Sequence, residues 1–91
     1  MTKDQAQVLA LQAIQFLVND DDLLNTFLSQ SGLSLDQLKA SLTQDDTLAG
    51  VLDCFLAQEE YLINFCDQQQ ISPQQFIEAR RCLPGGYNIY G

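Results

Sequence analysis

Three times in this chain a hydroxyl residue is followed three positions later by glutamine, at the foot of an apolar pattern with helical spacing: Thr2 with Gln5, Ser34 with Gln37, and Ser72 with Gln75. In such a box the hydroxyl oxygen accepts from the third backbone N–H, and the glutamine carbonyl accepts from the N–H of the capping residue. Two donors that every helix start leaves orphaned are thereby satisfied together. Pro73, directly after Ser72, reinforces the third start, because its ring presets a helical φ where no N–H is needed. The chain has only two prolines, and most of its five glycines fall at expected helix ends or in the last residues. A strand-rich fold would need more turn chemistry than that.

Between these signals the apolar residues have helical periodicity. A first helix is expected over Lys3–Val18, with Phe16, Leu9, Ala13, Ala6, Leu17, Ala10, Ile14, Val18 and Leu11 filling an arc of roughly 220°. So broad an apolar face predicts a central helix with several neighbours. A second helix follows over 21–30, with Leu23, Leu24, Phe27 and Leu28 inward and Gly32 as a left-handed terminator. A short third helix begins after Ser34 and ends near Leu42. The stretch 46–69 reads as two helices rather than one. Continuing the wheel through Leu48, Val51, Leu52, Phe55 and Leu56 would put Glu59 in the middle of the buried face. Burying an unpaired carboxylate is costly, so a break near Gln58 is expected, with Glu59 and Glu60 opening a fifth helix at its positive end. That helix buries Leu62, Phe65 and Cys66, and a sixth runs from Pro73 to the corner Pro84-Gly85-Gly86.

An offset of 38 residues superposes the second pair of segments on the last pair: Leu24 on Leu62, Phe27 on Phe65, Ser34 on Ser72, Gln37 on Gln75 and Leu38 on Phe76. The expected fold is therefore all-α, a compact orthogonal bundle of about six helices made of two similar three-helix halves. It forms one domain over 1–85, with 86–91 as a flexible tail.

Composition excludes several functions. The chain has 91 residues, with 12 acidic and 4 basic side chains and a net charge of −8. Lys3, Lys39, Arg80 and Arg81 are too few to neutralise a run of phosphates, so nucleic acid is not an expected partner. No segment is apolar for long enough to span a bilayer, and no basic run precedes the apolar stretch after Asp4, so a cytoplasmic protein is expected. Cys54, Cys66 and Cys82 form no disulfide framework, in keeping with a reducing compartment.

The strings Phe16-Leu17, Gly32-Leu33, Val51-Leu52-Asp53 and Ala79-Arg80-Arg81-Cys82-Leu83-Pro84-Gly85 together resemble a family of small alphaproteobacterial proteins known as a domain of unknown function. The resemblance covers 6–85 and implies a helical fold. It implies no activity. The chain departs from the family in its richness in glutamine and in its ending, Gly86-Tyr87-Asn88-Ile89-Tyr90-Gly91.

No catalytic set accompanies these folding signals. There is no histidine, and the cysteines lack the close spacing of zinc ligands. The carboxylate groups Asp20-Asp21-Asp22, Asp45-Asp46 and Glu59-Glu60 all precede helices, where their charge is favourable. No metal or other cofactor is expected, and the chain reads as a non-enzymatic interaction or regulatory module with a protein partner, itself a monomer or weak homodimer. The candidate docking residues are Arg80, Arg81, Pro84 and Gly85, with a second role open to Arg80 as a clip to a carboxylate such as Asp53 or Glu60. An acyl-carrier-like protein modified on Ser34 is the alternative, although Ser72 occupies the equivalent capping place.

Overall fold

A computed structural model of the chain describes residues 1–83. Six helices follow one another: α1 (Lys3–Val18), α2 (Asp21–Ser31), α3 (Leu35–Ala40), α4 (Asp45–Ala57), α5 (Glu59–Gln69) and α6 (Pro73–Arg81). All other described residues form turns, caps and links. The expected tail 86–91 and the corner at Pro84 and Gly85 lie outside the described residues.

The three hydroxyl boxes form as their chemistry requires. Oγ1 of Thr2 and Oγ of Ser34 and Ser72 each accept from the third backbone N–H at 3.2 Å. Oε1 of Gln5, Gln37 and Gln75 accepts from the capping N–H at 2.8–2.9 Å. Asp20 caps α2 instead, its Oδ1 accepting from the N–H of Leu23 at 3.0 Å. The break at Gln58 is one residue long, with φ −120° and ψ 81°, and it leaves Glu59 and Glu60 exposed in the first turn of α5.

Burial of α1 is narrower than its apolar arc. Ala6, Leu9, Ala10, Ala13, Ile14 and Leu17 are buried, whereas Leu11 and Val18 at the edge of the arc stay exposed. The helix is nonetheless central, packing against α2, α4 and α6. Four phenylalanines join the elements: Phe16 from α1, Phe55 from α4, Phe65 from α5 and Phe76 from α6. Five of their pairings have ring centroids 5.4–5.7 Å apart in tilted or edge-on geometry, the arrangement the ring quadrupole favours. A second tie links the starts of α1 and α4. Nζ of Lys3 lies 2.7 Å from Oδ2 of Asp45, and Nε2 of Gln7 donates to Oδ1 of the same carboxylate at 2.8 Å. These bonds hold the Asp45 carboxyl below its ordinary range and raise the Lys3 ammonium.

The repeat is faithful in punctuation and not in packing. The offset of 38 carries α2 onto α5 residue for residue, and it carries the left-handed Gly32 (φ 75°) onto Gln70 (φ 56°). The two halves then diverge because α6 is the longer helix. It buries Phe76, Ala79 and Arg80 against α1, α4 and α5, while the six-residue α3 buries only Leu38 and stays peripheral.

Gln70 ends α5 in a Schellman turn. Its N–H donates to the carbonyl of Asp67 at 3.3 Å, and the N–H of Ile71 donates to that of Cys66 at 3.0 Å. A left-handed backbone costs a side-chain-bearing residue roughly 1 kcal/mol that glycine does not incur. Gln70→Gly is therefore expected to raise unfolding stability by about 1 kcal/mol, read from chemical denaturation at an unchanged m-value.

Candidate functional site

One concavity lies where α2 and α4 meet. Phe27 of α2 is buried in the core, and α2 ends at the left-handed Gly32. Between α2 and α4 lies an open groove of about 500 Å³. Its walls are Phe27, Gln30 and Ser31 of α2 with Leu33 of the following link. Its floor is one stripe of α4: Asp46, Thr47, Gly50, Asp53, Cys54 and Ala57. Those positions recur at helical spacing and cover ~16 Å of the helix axis.

Gly50 makes the floor shallow. It lies mid-helix, where glycine is less favourable than alanine by about 0.5–1 kcal/mol. Its φ is not positive, and a Cβ built there meets only the Phe27 ring, at 4.0 Å, an ordinary contact. The backbone thus has no need of glycine at this position, while the groove owes depth to the missing side chain.

Asp53 borders the groove and fixes α6. Nε of Arg80 donates to Oδ1 of Asp53 at 2.5 Å and Nη2 to Oδ2 at 3.0 Å, a side-on bidentate pair. The Arg80 side chain is 4% exposed and that of Asp53 34%. Every buried side-chain nitrogen and oxygen among the described residues has a hydrogen-bond partner.

The docking set read from the sequence therefore divides. Arg80 is turned inward and holds Asp53, the clip that its place on the helix allowed, and a guanidinium so buried presents no surface to a partner. Arg81 faces solvent in the last turn of α6. Pro84 and Gly85 lie outside the described residues. Ser34 is exposed, but its hydroxyl oxygen caps α3 in the geometry that Ser72 repeats at α6. Burial raises the pKa of the Cys54 and Cys66 thiols, which disfavours the nucleophilic thiolate. Cys82 donates to the carbonyl of Met1 with sulfur and oxygen 3.2 Å apart. No three histidine, cysteine or acidic side chains converge in a metal-binding arrangement among the described residues. Among the described residues no helix is long and apolar enough to cross a membrane.

Sequence reasoning did not identify the groove. Its one legible signal was Gly50, an isolated glycine inside an apolar helical pattern with no terminus to serve. Asp46 was legible only as a first-turn charge.

The chain belongs to the family described as Protein of unknown function (DUF3572), which matches residues 3–86. No curated protein and no solved structure matches it. The family carries no activity to transfer, so any function has to be argued from the geometry.

Three substitutions test the energetics of this region. Removing one partner of the Arg80–Asp53 pair has unequal effects. Asp53→Ala leaves a buried guanidinium without its carboxylate and should cost about 2–4 kcal/mol. Arg80→Met leaves a carboxylate already one-third open to water and should cost less, about 1–2 kcal/mol. Equal losses in thermal or denaturant unfolding would contradict the asymmetry. Gly50→Ala should instead stabilise the protein by about 0.5–1 kcal/mol, raising the melting temperature by roughly 2–8 °C.

Proposed function

We propose that this family member is a non-enzymatic module, cytoplasmic and monomeric or weakly self-associating, that binds a protein partner in the α2–α4 groove. The observation that carries this reading is Gly50. A mid-helix glycine beneath a surface groove, where alanine would fit, departs from the local folding rules, and such departures are expected at functional sites. The groove supports it further by its dimensions. About 500 Å³ is within the range of binding clefts, and the lining mixes apolar side chains with a few polar ones, as such clefts do.

Catalysis has less to recommend it. The groove presents carboxylates without histidine, and the Cys54 thiol at its floor is held protonated by burial. Arg81, with the adjoining Pro84 and Gly85, belongs to the same proposal as a separate edge of the contact surface. The acyl-carrier alternative on Ser34 has only the exposure of the hydroxyl behind it.

Affinity capture with the wild type and Gly50→Leu checks this reading. The leucine side chain fills the groove without changing charge. A partner bound through the groove is retained by the wild type and lost, by about tenfold or more, with a Gly50→Leu protein whose circular dichroism is unchanged. Capture unaffected by Gly50→Leu and abolished by Arg81→Ala would move the contact to the end of α6. Turnover of a substrate that depends on a groove carboxylate would replace the reading altogether.

A further inference from the structure

Resting on the groove as a binding site, we infer the chemistry of its occupant: a cationic amphipathic helix of another protein, laid along α4 with its apolar side on the Gly50 floor and a Lys or Arg against Asp46. Shape and charge together carry this.

The floor is a straight helical stripe ~16 Å long, and Phe27 and Leu33 supply its apolar side. A helix of about three turns matches that length and reads a groove through side chains at i, i+3, i+4 and i+7. Gly50 allows the incoming side chains to seat close to the α4 backbone.

Charge decides among the possible occupants. Among the described residues, the only ionisable carboxylates lining the groove are Asp46 and Asp53, and no Lys or Arg lines it. Asp53 is neutralised by Arg80. Asp46 is exposed and forms no ion pair among the described residues. The chain as a whole carries −8, a field that draws a cation and repels an anion. A second copy of the chain fits this poorly. Its exposed apolar stripe on α1, Val8, Leu11 and Val18, has Asp4 on the same face and would set carboxylate against carboxylate. The residues 84–91, Pro-Gly-Gly-Tyr-Asn-Ile-Tyr-Gly, contain no cationic side chain to meet Asp46.

The test is an NMR titration of the full-length, 15N-labelled protein with a designed helix of leucine, alanine and lysine, roughly 14 residues and about 21 Å long. The same helix with glutamate in place of lysine is the comparison. The lysine helix is expected to shift Thr47, Gly50 and Ala57, and the glutamate helix to leave them in place. Gly50→Leu, and independently Ala57→Leu at the exposed end of the stripe, should weaken binding about tenfold. Asp46→Asn should weaken it about threefold to fivefold. Asp67→Asn on α5, which removes the same net charge, should leave it unchanged. Equal losses from Asp46→Asn and Asp67→Asn would mean general attraction to an acidic surface and overturn the inference. Contacts from Phe27 to Tyr87 or Tyr90 in the free protein, or concentration-dependent shifts at Gly50 without peptide, would overturn it in favour of the chain's own end or a second copy. If Gly50→Leu abolishes partner capture while the lysine helix fails to bind, the groove reading stands and the cationic helix does not.

Discussion

Four phenylalanine rings set the positions of four helices at once. Phe16, Phe55, Phe65 and Phe76 come from α1, α4, α5 and α6, and each touches at least two of the others at 5.4–5.7 Å. In a domain of this size one core must supply nearly all the stabilisation. Rings that bury large areas and prefer tilted contacts define the mutual placement of the helices more sharply than aliphatic side chains would. Phe55, which pairs with all three others, ties α4 into the centre. The Arg80–Asp53 pair then fixes α6 on α4 from the other side of the same helix end, with both charges hydrogen-bonded in a specific geometry.

The groove is the by-product of what the quartet leaves out. Phe27 on α2 is buried but belongs to none of the five ring pairs, and α2 packs chiefly against α1 and less against α4. The groove lies between α2 and α4. The face of α4 opposite the rings is thereby left lined with small side chains, Thr47, Gly50, Cys54 and Ala57. One helix thus serves as a core element on one face and as the floor of the groove on the other.

Helix boundaries were legible in the sequence because they depend on local chemistry. A hydroxyl and a glutamine three residues apart meet whatever the rest of the fold does, and Glu59 could not be buried in any arrangement without a partner. The partner of Arg80 was legible to within two carboxylates for a similar reason, since a basic residue beside Phe76 and Leu83 needs a counter-charge nearby. What escaped was set by contacts distant in sequence. Leu11 and Val18 carry the same apolar signal as Leu9 and Leu17, and only the angle at which neighbouring helices reach α1 leaves them in water. The left-handed Gln70 has the wrong residue type for its conformation, and only its register with Gly32 marks it. The groove is a gap between α2 and α4, and periodicity within one helix says nothing about the distance to the next.

The meeting of Met1 with Cys82 has a bearing on how the chain folds. The carbonyl of the first residue accepts from a thiol 81 positions later, and α1 lies against α6 as well as α4. The helix α1 is therefore completed by a helix more than fifty residues away in the chain. Without α6, the apolar face of α1 lacks one of its principal covers. Such a topology joins α1 to α6 across a long stretch of chain, which slows closure relative to a bundle built from successive neighbours. A chain that lacks Phe76 lacks one ring of the aromatic cluster as well as the cover that α6 gives to α1, so the core cannot close in parts.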